Sequence, residues 1–513
     1  MSPNTHRHVG QKNPHGSKVA PCLAVFGTAS EVGKSISATA LCRIFANLGL
    51  RVAPFKAQNM SNNSGVTPEG GEMGRAQIVQ AEAACLSPHV DMNPILLKPS
   101  SDTGSQVVVL GEVFGDRRAQ AYHEDCTFFF ETACQALDRL RRAYDLIIME
   151  GAGSCAEVNL AAQEIVNFRM AEYVNAPVIL VADIHRGGVF AQCVGTLECL
   201  PPDRQDRIIG FLINRFRGDA NLFKDGTCWI EAKTGKQVFG LVPWYRDIQI
   251  EAEDSVVIEN PVDPTMPKAN EFAVAIIRLP HISNFNDFDP LFRVKGLKVS
   301  FLERVRDLSF YRAVILPGSK NTRRDLRWLI DSGWAEALAS YKENAGYLLG
   351  ICGGYQMLGH KIDDPEGLEG EPGNSQGLKF LPVETTLTAP KTTTRTDFSL
   401  KGVKGKGYEI HMGKTIRMGG HPLFEIHSRN GTACRDSDGC ASPDGHVFGT
   451  YVHGLFDNPQ VLQQWLSRIG LKGYDMNEHS GLAFRDQQYD LLAQHFLRHL
   501  DLEPVMNAVG IEH

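Results

Sequence analysis

Two stretches of the chain carry residue types whose spacing can do chemistry. The first is GTASEVGKS, Gly27 to Ser35, set in the strand–loop–helix context AVFGTASEVGKSISATAL. Backbone N–H groups at a helix start favour anions, and glycines there let phosphate approach closely. Gly27, Thr28 and Gly33 would line such a cradle, Lys34 would meet the β and γ phosphates of ATP, and Ser35 would ligate Mg²⁺. The alternative is a glycine-rich turn capped by Ser30. The strand before it and the helix after it favour the nucleotide.

The second stretch is LLGICGGYQMLG, where Cys352 follows an apolar strand among small residues. A sharp strand-to-helix turn exposes a nucleophile and leaves the next N–H, that of Gly353, as an oxyanion donor. A thiol needs a base, and His453 ends another apolar strand in FGTYVHGLF. VILPGSKNT supplies a further turn, at Gly318 and Ser319, whose backbone would complete the oxyanion hole. A buried cysteine is ordinarily an inert small hydrophobe. The flanking Gly350, Gly353 and Gly354 argue for acyl transfer instead.

Both constellations require rigid strands behind them. CLAVF (from Cys22), RVAPFK (Arg51), DLIIME (Asp145), PVILVAD (Pro177), IIGFLIN (Ile208) and QVFGLVP (Gln237) read as buried strands alternating with amphipathic stretches. Between the first two, Ile36, Leu41, Ile44, Phe45 and Leu48 recur at helical spacing, with Gly49 as the stop. IENPVDPTMPKAN, Ile258 to Asn270, reads as a linker. The alternation resumes with EFAVAII (Glu271), LKVSF (Leu297), AVILPGS (Ala313) and GYLLGICGG (Gly346). Gly, Pro and Thr around Glu366 to Asn374 and Lys391 to Thr396 predict exposed loops, and QQYDLLAQHFLRHLDLE predicts a final amphipathic helix.

Composition narrows the function classes. At 513 residues, 43% hydrophobic and 22% charged, the chain suits at least two globular domains. A net charge of −7 gives no reason to expect nucleic acid or an anionic membrane as partner. Twelve cysteines without a C-x-x-C pair fit a reducing cytoplasm. The N-terminal MSPNTHRHVGQKNPHGSK has no apolar segment and reads as a disordered leader. No apolar run reaches the roughly 20 residues of a membrane helix.

Five residues rather than the usual four separate Gly27 from Gly33, and the spelling G-T-x-[ST]-x-x-G-K-[ST] resembles the loop of dethiobiotin synthetase and related ligases that activate a carboxylate with ATP. Their E-G-A-G element has a counterpart in DLIIMEGAGS, which implies that Glu150 holds Mg²⁺ opposite Ser35. The cysteine and histidine segments resemble the class I glutamine amidotransferase domain, which releases ammonia from glutamine. That family usually shows H-x-E, whereas this chain has His453-Gly454-Leu455, a departure shared by its cobyrinate-type subgroup. The missing carboxylate leaves His453 without its usual orienting partner and predicts a slow free glutaminase.

PFKAQNMSNNS, ADIHRGGVFAQ, NRFRGD, PHISNFNDFDPL, PGSKNT and GYEIHMG together resemble the cobyric acid synthase family. The resemblance implies L-glutamine- and ATP-dependent amidation of the b, d, e and g carboxylates of a corrinoid, (adenosyl)cobyrinic acid a,c-diamide. Amidation of other carboxylates, such as the a and c groups, is the nearest enzymatic alternative, and a partition-type ATPase the non-enzymatic one. The implied organisation is a leader (1–19), a dethiobiotin-synthetase-like parallel-sheet domain (20–257), a linker (258–270), an amidotransferase-like α/β domain (271–465) and a helical extension (466–513).

Further residues take roles within that frame. Lys56, at a strand end, would neutralise phosphate or a substrate carboxylate. Asn59, Ser61, Asn62 and Asn63 would bond the polar rim of a macrocycle, unless they are an ordinary loop. Asp183 would bind substrate, join the metal site, position Arg186 or cap a helix. Asn214 would contact the purine or merely end its strand. Tyr408, grouped with the substrate contacts, would face the domain interface along with Glu409 and His411.

Overall fold

The computed structural model describes residues 19–100, 104–118, 126–161, 163–245, 247–251, 266–268, 271–472 and 481–511. The leader up to residue 18, and the expected linker except 266–268, lie outside the described residues.

All six apolar runs of the first half are strands of one parallel sheet. They are β1 (Cys22–Gly27), β2 (Val52–Phe55), and, after an inserted arm, β5 (Leu146–Glu150), β6 (Val178–Asp183), β7 (Ile208–Phe216) and β8 (Gln237–Pro243), in the order β8-β7-β6-β1-β5-β2. Leu23 and Val25 enter the core on one face, while Ala24 and Phe26 enter the core on the other. Burial on both faces is why the strand reads as a continuous apolar run. Helix α1 (Lys34–Asn47) starts directly from the phosphate-loop sequence and ends before Gly49, whose φ of 88° suits glycine.

The arm between β2 and β5 includes a two-stranded hairpin, β3 (Ser64–Val66) and β4 (Glu72–Gly74), followed by α2 (Arg75–Ala83). Its turn reaches the second domain, where a Cβ on Gly70 would lie 2.5 Å from Asn430 Nδ2. Nothing in the strand–helix alternation signals this arm. The hairpin strands are three residues long, too short to show a period.

A second parallel sheet follows, built from β9 (Phe272–Ile277), β10 (Leu297–Leu302), β11 (Ala313–Leu316), β12 (Tyr347–Ile351) and β15 (Val447–Thr450) in the order β10-β9-β11-β12-β15, with Cys440–Ala441 antiparallel at its edge. Before β15 the chain forms an antiparallel pair, β13 (Thr392–Leu400) and β14 (Val403–His411). The loop expected over Lys391 to Thr396 is therefore corrected. Threonine is a β-branched strand former, and β14 supplies a nine-residue ladder for it.

The long C-terminal helix α3 (Gly481–Leu497), followed by a short helix over Glu503–Ala508, folds back onto the first domain: Tyr489, Leu492, Ala493 and Phe496 share a core with Leu41 and Phe45 of α1. Arg43 of α1 pairs with Asp490 at 2.7 Å and with Asp486 at 2.8 Å. The end of the chain thus closes over the start. Among the described residues no helix is long and apolar enough to cross a membrane.

Candidate active site

The phosphate loop is shaped by its glycines. A Cβ on Gly27 would lie 2.8 Å from Val32 Cγ2 and 2.9 Å from Ala29 O, and Gly33 sits at φ 100°. Only glycine fits both conditions. Thr28 N–H bonds Val181 O at 3.0 Å and its hydroxyl lies 3.2 Å from Gln192 Oε1. Lys34 is buried, and its ammonium donates to Gly153 O at 2.8 Å and Ala29 O at 3.0 Å. A positive charge therefore stands between the loop and the Gly151–Gly153 turn.

Ser35 Oγ lies 2.8 Å from Glu150 Oε1, so the hydroxyl and carboxylate expected at a hard cation converge. Lys56 Nζ lies 2.9 Å from the same oxygen, and Gln80 Nε2 lies 2.5 Å from Glu150 Oε2. Lys56 is buried, not a solvated strand-end lysine. Ser35 and Glu150 thus offer one hydroxyl and one carboxylate to a hard cation such as Mg²⁺, and Lys56 competes with it for the same carboxylate oxygen.

Asn214, at the end of β7, is buried and donates from Nδ2 to Val32 O at 2.9 Å, while its Oδ1 accepts from Arg215 N–H. It braces the phosphate loop. Asp183 accepts from His185 N–H at 2.7 Å and pairs with Arg215 at 2.9 Å. Arg186 pairs with Glu31 of the phosphate loop instead, which corrects the expected Asp183–Arg186 contact. Asp183 lies on β6, on the other side of β1 from β5 and β2.

Asn59 is buried and donates to Gln77 Oε1 at 3.0 Å, and Asn62 Oδ1 is a buried acceptor with no hydrogen-bond partner among the described residues. An unsatisfied buried acceptor is costly unless a donor reaches it. Asn63 and Ser64 continue the loop into the second domain: Phe285 N–H donates to Asn63 Oδ1 at 3.3 Å, and Ser64 N–H donates to Asn284 Oδ1 at 2.9 Å.

Cys352 lies at the β12 end with φ 52° and ψ −109°, a sparsely populated positive-φ conformation that costs a non-glycine residue on the order of 1–3 kcal/mol. The surrounding glycines enforce it. A Cβ on Gly354 would lie 2.1 Å from Leu316 O, and one on Gly353 would lie 2.9 Å from Ser319 N. A Cβ on Gly318 would come within 3.3 Å of His453 Cε1. Cysteine, histidine and both glycine turns therefore converge, as the spacing predicts for acyl transfer.

The carboxylate missing after His453 comes from elsewhere. Asp287 Oδ2 lies 2.6 Å from His453 Nδ1, and Asp287 Oδ1 accepts the Gly454 N–H at 2.9 Å. Both side chains are buried. Burial opposes the imidazolium, but the charge and hydrogen bond of Asp287, helped by Cys352, raise the His453 pKa to about 10. The expectation of an unoriented base is overturned. Asp287 belongs to PHISNFNDFDPL, where Phe285 and Phe288 anchor the turn that presents it. An acidic residue held between core aromatics is the only local signal of it.

Tyr408 lies beside the base. It pairs with His453 across β14, its ring lies 5.3 Å from the imidazole at 16°, and burial drives its hydroxyl pKa upward. Arg75 and Glu251 of the first domain also lie within electrostatic reach of its hydroxyl, so Tyr408 stands at the domain junction as well as beside His453. Glu409 bonds Thr396 Oγ1 and Arg429 within the same domain.

The two domains share a buried charge cluster. Glu72 of β4 lies 2.5 Å from Lys98 and 2.6 Å from Lys391, which immediately precedes β13. Burial opposes the Glu72 charge, but the two ammonium groups hold its pKa well below the carboxylate range; burial lowers the Lys98 pKa to about 8.

The family described as CobQ/CobB/MinD/ParA nucleotide binding domain matches residues 23–257, and the CobB/CobQ-like glutamine amidotransferase domain matches 273–461. A cobyric acid synthase of Chlorobaculum tepidum is 50% identical over 95% of this chain and 98% of its own length. Those of Chlorobium phaeobacteroides and Moorella thermoacetica are 51% and 44% identical, over 95% and 96% of this chain and 99% and 98% of theirs. With both domain families matched and the relatives aligned nearly end to end, the chain belongs to the cobyric acid synthase family.

Proposed function

We propose that this chain is an ATP- and glutamine-dependent ligase that amidates the b, d, e and g carboxylates of (adenosyl)cobyrinic acid a,c-diamide to give (adenosyl)cobyric acid in cobalamin biosynthesis. The observation that carries the reading is the nearly full-length 50% identity to a cobyric acid synthase. Twelve unpaired thiols suit a reducing cytoplasm.

In the second domain Cys352 passes its thiol proton to His453 Nε2 as Sγ bonds to the side-chain carbonyl carbon of L-glutamine. The oxyanion faces the Gly353 N–H and the Gly318–Ser319 turn. His453, held by Asp287, gives its Nε2 proton to the departing nitrogen as the C–N bond breaks, and ammonia leaves. Water then splits the glutamyl thioester with His453 as base, releasing glutamate and restoring the thiol.

In the first domain ATP and Mg²⁺ supply the phosphoryl group and the charge neutralisation that turn a carboxylate into an acyl phosphate open to ammonia. Gly27, Thr28, Gly33 and Lys34 would bind phosphate, Asn214 braces their loop, and Ser35 and Glu150 would hold Mg²⁺. Lys56, beside Glu150, meets the substrate carboxylate. Asn59 and Asn62 bond the amide-bearing rim of the corrin.

The test is ADP release in the presence of glutamine. Release should depend on added cobyrinic acid a,c-diamide; release indifferent to glutamine and corrinoid would contradict the reading and match a nucleotide-switch protein.

A further inference from the structure

One short turn of the second domain carries two contacts of different kinds. At its start, Asn284 Oδ1 accepts the Ser64 N–H and Phe285 N–H donates to Asn63 Oδ1, both partners lying in the loop that continues from Asn59 and Asn62. At its other end Asp287 holds His453. Within the turn, Asp287 N–H donates to Asn284 O at 3.0 Å. Three hydrogen bonds therefore connect Ser64 of the ligase to the base of the glutaminase.

The path is built to transmit displacement. Ser64, Asn284, Asp287 and His453 are all buried, where packed groups cannot shift independently. Ser64 is gripped from the ligase side too, donating to Glu72 Oε1 at 2.7 Å and accepting from Lys98 Nζ at 2.7 Å. Asn284 adopts φ 52°, a left-handed conformation that asparagine tolerates better than most residues, and so can present Oδ1 to the neighbouring domain.

Resting on the ligase reading above, we propose that Asn284 is a positioning residue that couples occupation of the corrinoid loop to alignment of Asp287 and His453. Substrate held by Asn59 and Asn62 sets the Asn63–Ser64 segment, that segment sets the Asn284–Asp287 turn, and the turn sets the imidazole. Glutamine is then hydrolysed fastest when a carboxylate is waiting for ammonia.

The test uses the full-length chain. Glutamate release is measured with and without ATP plus cobyrinic acid a,c-diamide, in parallel with amidation supported by ammonium chloride and with the alkylation rate of Cys352 by iodoacetamide. Asn284→Gly keeps the left-handed backbone and removes the acceptor; Asn284→Asp keeps an acceptor oxygen. Wild type should be stimulated in kcat by the ligase substrates, with Cys352 alkylation changing in step. Asn284→Gly should lose that response to within about twofold of the unstimulated rate, with ammonia-supported amidation unchanged. Asn284→Asp should retain it. The coupling is overturned by a wild type indifferent to ligase substrates, by an Asn284→Gly variant stimulated like wild type, or by one that loses ammonia-supported amidation as well. Failure of the ligase reading itself is seen separately, as absence of amide product from wild type supplied with ammonia.

Discussion

Asp287 and His453 stand 166 residues apart in the chain and 2.6 Å apart in the fold. The contact completes a Cys–His–Asp arrangement in a domain whose histidine is followed by Gly454 and Leu455. The carboxylate has changed its place in the sequence and kept its place beside Nδ1.

Replacing Asp287 by Asn should therefore disable the glutaminase selectively. We expect kcat for glutamate release to fall by about 10²–10⁴, the range for loss of positioned acid–base chemistry, while amidation with ammonia persists. The pH profile gives a second readout. Asp287 raises the His453 pKa to about 10, so its loss should move the alkaline limb of the activity towards lower pH. An unchanged limb measured by stopped glutamate assays would contradict the assignment.

Cys352→Ala should remove glutamine-dependent amidation altogether, because no glutamyl thioester forms without the thiol. Ammonia at alkaline pH should restore amide formation. A folded variant inactive with both nitrogen sources would refute separate sites for nitrogen release and amide synthesis.

Lys34→Ala should have the complementary phenotype. With the ammonium removed from the cradle between Ala29 O and Gly153 O, amidation from either source should fall by at least about 10²-fold. Basal glutamate release should persist. Normal ATP-dependent synthesis would remove Lys34 from phosphate binding.

The Glu72 cluster predicts how the domain junction responds to acid. Its folded pKa is depressed, so its stabilising charge is complete above the ordinary glutamate range and is lost as pH falls through the depressed value. Glu72→Gln would leave Lys98 and Lys391 uncompensated and should cost about 3–5 kcal/mol at neutral pH. Calorimetric scans should show the variant melting earlier at pH 7 and the gap from wild type narrowing in acid. A constant gap down to the lowest pH at which wild type folds would contradict this account.

The glycine turns of the two candidate sites were legible in the sequence, because backbone-shaped sites leave local spellings. Gly27, Gly33, Gly353 and Gly354 are glycines for steric reasons visible in their neighbours. Ten strands were legible as apolar runs because both faces of each sheet are covered. What escaped was long-range pairing. Asp287 reaches His453 through tertiary packing, Asp183 turned to Arg215, and Tyr408 took its position from strand register. Lys391 looked like a loop lysine, since its partner Glu72 lies on a hairpin too short to announce itself.

The joining of the two sites is tested most directly by isotope transfer. Full-length protein is incubated with ATP, cobyrinic acid a,c-diamide and glutamine labelled with ¹⁵N in its side-chain amide, and the corrinoid is examined by mass spectrometry and NMR. The account predicts ¹⁵N in the b, d, e and g amides, with one ADP released for each. Recovery of the diamide unlabelled while ATP and glutamine are consumed, or labelling confined to the a and c positions of cobyrinic acid, would contradict it.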